Sequence, residues 1–453
     1  MILPTPVRTS LLRVLFLTVP LFSFKALAQE IVVATVGNAD MLNMQQLSEY
    51  FVRENPDITI SWEVVDESVL RLMQSRDSKR ADPRYDVYTL GLLEAPLWGK
   101  NGRLAPVPES ILSTVEGTDW IPEIMEGFRH GDHYFALPFY GESSMTYYRR
   151  DVFNRYDLTM PAAPSWAQIE SLLSELKIRS NDQAGVICLR GKAGWGENMA
   201  LFSTLVNAFG GRWFDEQWGT TLTEEPWHRA VDFYLELMAN YGLPDAWLNG
   251  YSENLAAFRS GDCDVWVDST AAGGSIATAD IYPHVGYARA PTQVTDRGSN
   301  WLWSWGFAVP SGSRAQEAAW RFVQWATSND YHRLVEEHYG IAQVPPGTRR
   351  SLYRNSAYQQ YARFSDPTID AIRTTDFDQP SAQPVPYRGI QFVQTEEFQQ
   401  IGNYVGKVLA ELLESRLTNQ GVDIPRELTR ASDFVRASHN VGDYLREHDI
   451  DAF

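Results

Sequence analysis

Four stretches of this sequence set aromatic rings beside carboxylates, amides and arginines. They are Phe139-Tyr140-Gly141-Glu142-Ser143-Ser144, the run Arg190-Gly191-Lys192-Ala193-Gly194-Trp195-Gly196-Glu197-Asn198, then Asp268-Ser269-Thr270, and Asn300-Trp301-Leu302-Trp303-Ser304-Trp305. A neutral polyhydroxylated ligand needs this mixture. Each hydroxyl both donates and accepts, so Asp, Glu, Asn and Arg can each satisfy one or two of them. Hydrogen bonds to ionised groups are the stronger kind, about 1.5–3 kcal/mol each. The C–H face of such a ligand needs a flat apolar partner, and Trp supplies it with little rotamer entropy to lose. Glycines between the rings let a loop approach closely. Core packing explains some of the same residues. Trp301, Trp303 and Trp305 have the i, i+2, i+4 spacing of one strand face. Glu142, Glu197 and Asp268 can serve in salt bridges or helix caps, and Glu197 lies where a helix N-terminus favours a carboxylate.

Signatures of covalent chemistry are missing. The sequence holds no H-E-x-x-H, no G-x-S-x-G and no G-x-x-x-x-G-K-[ST]. The 8 His are scattered, and His130 and His133 form the one close pair, in a turn at Gly131-Asp132. The glycines of 191–196 lack the strand and acidic spacing of a dinucleotide site. Neither a metal nor a cofactor is expected, and no enzyme activity. The formal net charge of -18 repels polyanions, which disfavours nucleic acid as a partner. Only 2 Cys are present, too few for a disulfide framework or a cysteine zinc site. Cys188 and Cys263 either pair or remain buried thiols.

The elements that must position these residues read as α/β. Residues 1–28 form a signal peptide: Arg8 and Arg13, an apolar run from Leu11 to Phe24, and Ala26-Leu27-Ala28 before Gln29. Export through a cleavable leader implies an oxidising compartment. Ile31 to Val36 is an apolar strand, and Met41, Met44, Leu47 and Phe51 mark a helix. Ile58 to Val64 alternates as a second strand. Asp66 is placed to cap a helix burying Val69, Leu70 and Met73, and a third strand ends at Leu90. Such a β-α-β-α-β series is parallel, and ligands sit beyond the carboxyl ends of its strands. Those ends carry Asp40, Asp66-Glu67 and Glu94. A second α/β series starts near Ser165, where S-x-x-Q with Gln168 is a capping box. Val285 to Pro310 reads as strands returning to the first sheet, and two long helical segments, 395–417 and 427–447, end the chain.

With these segments in view, the chain resembles the extracellular solute-binding proteins of bacterial ABC importers, the sugar-binding family that includes maltose-binding protein. ALPFYGESSMTYYRRDVF (Ala136 to Phe153), AFRSGDCDVWVDST (Ala257 to Thr270) and SWGFAVPSGS (Ser304 to Ser313) carry that resemblance. GLLEAPLWGKNG (from Gly91), ICLRGKAGWGENMA (from Ile187), RWFDE (from Arg212), NWLWSWGFAVP (from Asn300) and VPPGTRRSLY (from Val344) resemble the sorbitol- and mannitol-binding members more narrowly. The resemblance implies a two-lobed fold with discontinuous lobes, a hinge and an interlobe cleft. The first lobe would be 29–138 plus 285–330, the second 139–284 plus 331–453. It implies a polyol or sugar ligand, delivery to membrane permease subunits, and a monomer. By position in the matching motifs, the cleft candidates are Asp40, Glu94, Tyr140, Glu142, Arg190, Trp195, Glu197, Asn198, Trp213, Asp268, Trp303 and Trp305. Two other readings stand beside it. A secreted glycoside hydrolase also pairs carboxylates with aromatics, although no eight-fold β/α pattern is visible. A Trp box can also cage a quaternary-ammonium osmolyte.

Overall fold

The computed structural model describes Met1, residues 28–114 and residues 116–447. The expected signal peptide, apart from Met1 and Ala28, lies outside the described residues.

Strand β1 (Gln29–Val36) is buried on both faces from Val33 onward, as the centre of a covered parallel sheet must be. Helix α1 (Ala39–Glu54) starts at Asn38, whose side chain accepts from the Met41 N–H at 3.0 Å. It buries Met41, Met44, Leu47 and Phe51, the stripe seen in the sequence. Strand β2 (Ile58–Val65) lies parallel to β1 at the sheet edge and is only half-buried. Helix α2 (Glu67–Asp77) departs from the expected pattern. Its buried face is Leu70, Arg71, Gln74 and Asp77, while Val69 is exposed. The reason is polar: Gln74 donates to the Ala34 carbonyl, and Asp77 accepts from the backbone N–H of Arg84 and Tyr85 and from the Tyr88 hydroxyl. Asp66 stands at the N-cap without a side-chain capping bond.

Strand β3 (Val87–Leu90) follows, then helix α3 (Glu94–Lys100). A short hairpin, β4 (Arg129–His130) and β5 (His133–Tyr134), makes the turn expected around Gly131, and both histidines are exposed. Strand β6 (Leu137–Glu142) runs in the first sheet and β7 (Ser144–Arg149) in the second, so Ser143 alone separates the sheets on that crossing. The second sheet continues with β8 (Ile187–Cys188), β9 (Val265–Ser269) and β10 (Val285–Arg289). Strand β11 (Trp303–Ala308) then returns to the first.

The first sheet has the order β2-β1-β3-β11-β6, and the second β10-β7-β9-β8. This corrects one reading of the sequence. The strand at Val285 pairs antiparallel with β7 and stays in the second sheet; only the Trp303 strand returns. Alternation gave no partner for either, since pairing between distant strands is a tertiary choice. The helix Asn329–Tyr339 lies against α1, where Tyr50 Oη and His338 Nε2 are 2.8 Å apart. The capping box at Ser165 and Gln168 is made as read, opening the helix Trp166–Ser180. Cys188 and Cys263 form a disulfide with Cα atoms 5.9 Å apart. No helix among the described residues is long and apolar enough to cross a membrane.

Candidate functional site

The second sheet supplies one wall of a cleft. Strands β8 and β9 run parallel with Cys188 opposite Trp266, so two residues on, Arg190 comes opposite Asp268. Arg190 grips the carboxylate with two nitrogens: Nε donates to Oδ2 at 2.9 Å and Nη2 to Oδ1 at 2.6 Å. Nη1 donates to the Gly196 carbonyl at 2.8 Å. Asp268 also accepts from Trp266 Nε1 at 3.1 Å and from the Ser269 N–H at 2.6 Å. Both carboxylate oxygens are thus filled, and the side chain is fully buried. Burial opposes the charge on Arg190, but Asp268 outweighs it and holds the pKa above its ordinary value. The guanidinium lies over two rings, Tyr251 at 5.3 Å and Trp301 at 5.5 Å. Asp268 therefore orients a permanently charged donor rather than offering its own lone pairs.

Glu142 ends β6 and takes a hydrogen bond from the Ser269 hydroxyl. Burial pushes its carboxyl up to about 7, against the opposing pull of Ser269 and Arg190. Glu197 is half-buried, accepts from the Tyr251 N–H at 3.1 Å, and has its pKa raised by burial although Arg190 lies 3.9 Å away.

The first sheet supplies the opposite wall. Asp40, in the first turn of α1, is half-buried, and desolvation pushes it up to about 7. The Tyr140 hydroxyl accepts from Asn38 Nδ2 at 2.9 Å, and its pKa is raised by burial and then by Glu142, Asp40, Tyr251 and Glu67. Arg71 lies deeper, only 4% exposed. Its Nε and Nη2 donate to Glu67 Oε1 at 3.0 and 2.9 Å, and Nη1 bonds Glu94. Its guanidinium sits among three indoles: Trp195 at 4.1 Å, Trp305 at 4.9 Å and Trp303 at 5.1 Å. Gly91 makes room for one of them, since a Cβ there would lie 1.9 Å from Trp303.

The two walls touch. Trp195, from the loop after β8, meets Trp303 of β11 edge to face at 5.4 Å. A Cβ on Gly196 would come within 2.2 Å of Glu67 Oε1, so a side chain there would push the carboxylate aside.

Ten of the twelve sequence candidates line these walls. Two do not. Asn198 is fully buried and braces its own loop, donating to the carbonyls of Gly191 and Gly406. Trp213 packs in the core against Trp227 at 5.1 Å and Phe398 at 5.2 Å. Trp301 parts from the expected shared face: the strand begins only at Trp303, and Trp301 turns to Arg190. Glu67, Tyr251 and Trp301 are additions, and Arg71 lies behind them, clamped by Glu67 and Glu94. An i, i+4 acid–arginine pair at a strand's carboxyl end was the available signal for Glu67 and Arg71; Tyr251 had none. Among the described residues no group of three or more His, Cys, Asp or Glu is arranged to hold a metal ion.

Comparison with known proteins gives the family. Residues 37–333 match the family model for bacterial extracellular solute-binding proteins. The chain belongs to that family. A mannitol-binding protein of Pseudomonas aeruginosa is 42% identical over 415 residues, 91% of this chain and 94% of its own. A crystal structure of an ABC transporter solute-binding protein from Agrobacterium vitis with bound D-mannitol superposes with a TM-score of 0.86. It is 41% identical, covering 91% of this chain and 99% of its own. A ribitol complex from Agrobacterium radiobacter, at 18% identity and a TM-score of 0.76, shares the fold. Like these solute-binding proteins, the chain is two-lobed, with sheets joined through Ser143 and the segment before Trp303.

Proposed function

We propose that this chain is the periplasmic binding component of an ABC importer, taking one linear polyol of the mannitol or sorbitol kind into its cleft and delivering it to the permease. One observation carries the reading: the Arg190–Asp268 pair stands beside Glu142, which Ser269 ties to the same strand, with the Trp301 and Tyr251 rings under the guanidinium. Such groups hydrogen-bond hydroxyls and cover C–H faces without metal or covalent chemistry. The similarity to the mannitol-binding relative over most of the chain supports the same ligand class. We take the lobes to follow the sheets. The first then gains 139–142 and the helix Asn329–Tyr339, and the second keeps Val285–Arg289. Export through the leader at residues 1–28, a monomeric state and the absence of catalysis belong to the same reading. A caged quaternary ammonium is disfavoured, because the Trp195–Trp303–Trp305 box already holds Arg71.

Calorimetry with mannitol, sorbitol, arabitol, glucose and betaine is the test. One-to-one binding of a hexitol, with betaine silent, is expected. No heat with any polyol, or steady turnover of aryl glycosides, would overturn the reading.

A further inference from the structure

Arg71 is the residue that the polyol reading does not use. Glu67 and Glu94 clamp it, and three indoles surround it. Trp195, Trp303 and Trp305 are 3%, 6% and 5% exposed, so the box is closed to water while the guanidinium fills it. Trp195 Nε1 is buried with no hydrogen-bond partner. An unpaired buried donor of this kind favours any oxygen that enters. With the arginine removed in thought, the lining that remains is two carboxylates and three indole faces. That is the lining a sugar ring needs. The box also lies where the walls meet, since Trp195 comes from the second-sheet loop and Trp303 from the first sheet.

We propose that Arg71 is a specificity-determining plug: its side chain occupies a latent aromatic sugar subsite where the two sheets meet and limits the ligand to a single unextended polyol. Discrimination by a built-in obstruction works against the larger competitor alone, so it need not strengthen the contacts to the small ligand. The inference rests on the polyol reading above for the identity of the small ligand.

The probe is maltitol, a hexitol extended by one glucose ring, beside mannitol and maltose. Calorimetry is run on the parent, Arg71→Lys and Arg71→Ala. The parent and Arg71→Lys, which keeps a cation in the box, are expected to bind mannitol and reject maltitol. Arg71→Ala is expected to improve maltitol binding relative to mannitol by about tenfold or more. Arg71→Ala leaves Glu94 buried without its cation, so the double variant Arg71→Ala/Glu94→Gln is measured beside it, with melting curves on both. A parent that binds maltitol as well as mannitol overturns the plug. So does a folded alanine variant, single or double, whose maltitol-to-mannitol ratio equals the parent's. If the parent binds no polyol but Arg71→Ala gains maltose or maltitol, the plug stands and the functional reading falls. If the parent binds mannitol and no variant gains, the reverse holds.

Discussion

Glu142 shows how a single cleft carboxyl links the site to pH. Its ordinary value is 4.5, and burial raises it to about 7, with Ser269, Arg190, Asp268 and Glu67 facing it. Between those values the folded chain holds a proton that the unfolded chain has lost. Its contribution to stability is therefore present at low pH and fades as pH rises through the folded pKa. Glu142→Gln removes the penalty and keeps an acceptor for the Ser269 hydroxyl. In the ligand-free protein, the variant should melt above the parent at pH 8, and the difference should shrink towards pH 4.5. A constant difference across that range would mean the carboxyl is already ionised. Asp268 has a structural role instead. It is saturated by Arg190, Trp266 and its own strand. Asp268→Asn leaves Arg190 a buried, poorly paired charge, and such losses cost about 3–5 kcal/mol. Chemical denaturation should report a loss of that order, and an unchanged midpoint would deny Asp268 its bracing role. The sequence showed both residues beside aromatics, but not which one was spent on its neighbour. Composition identifies an acceptor, and only geometry shows whether its lone pairs are taken.

At the scale of elements, the Arg190 wall depends on two short strands. β8 has two residues, too few to hold register by ladder bonds alone. The disulfide from Cys188 to Cys263 ties it to the start of β9 and closes 75 residues of chain. By loop-closure entropy a bridge of that span stabilises by about 4 kcal/mol, and its removal in practice costs about 2–5 kcal/mol. Cys188→Ser/Cys263→Ser should lose stability of that order and should bind polyol more weakly, since Arg190 and Asp268 would no longer be held in register. Full affinity in the double variant would show that the Arg190–Asp268 pair sets the register by itself. The elements were unevenly legible. β1, α1 and the Ser165 cap follow local patterns and lie where the sequence put them. Helix α2 was misread because it buries Arg71, Gln74 and Asp77, which hydropathy assigns to solvent. β10 was misplaced because its partner is chosen by tertiary packing across 136 residues, Val285 with Arg149.

The two sheets are joined by two direct strand-to-strand crossings, at Ser143 and before Trp303, and by the contact of Trp195 with Trp303. At the crossings, Ser143 Oγ donates to the Trp301 carbonyl at 2.6 Å and accepts from Asn300 Nδ2 at 3.0 Å. The Ser143 N–H and carbonyl pair with Thr270. These bonds stitch together the two segments that pass between the sheets, and Trp195 meets Trp303 from the opposite sheet. Family motifs made the two-lobed plan readable from sequence, whereas the meeting of Trp195 with Arg71 joins residues 124 apart and required the fold. An open and a closed form then differ by a few contacts, and a ligand touching both walls shifts the balance to the closed form. Saturating mannitol should reduce the radius of gyration in solution scattering. It should also protect Trp195, so acrylamide should quench tryptophan emission less with ligand than without. Trp195→Phe should remove much of that protection while leaving the scattering change intact. Identical scattering and quenching with and without a bound polyol would mean that the lobes are already locked by Arg71 and its indoles. Binding would then proceed without closure.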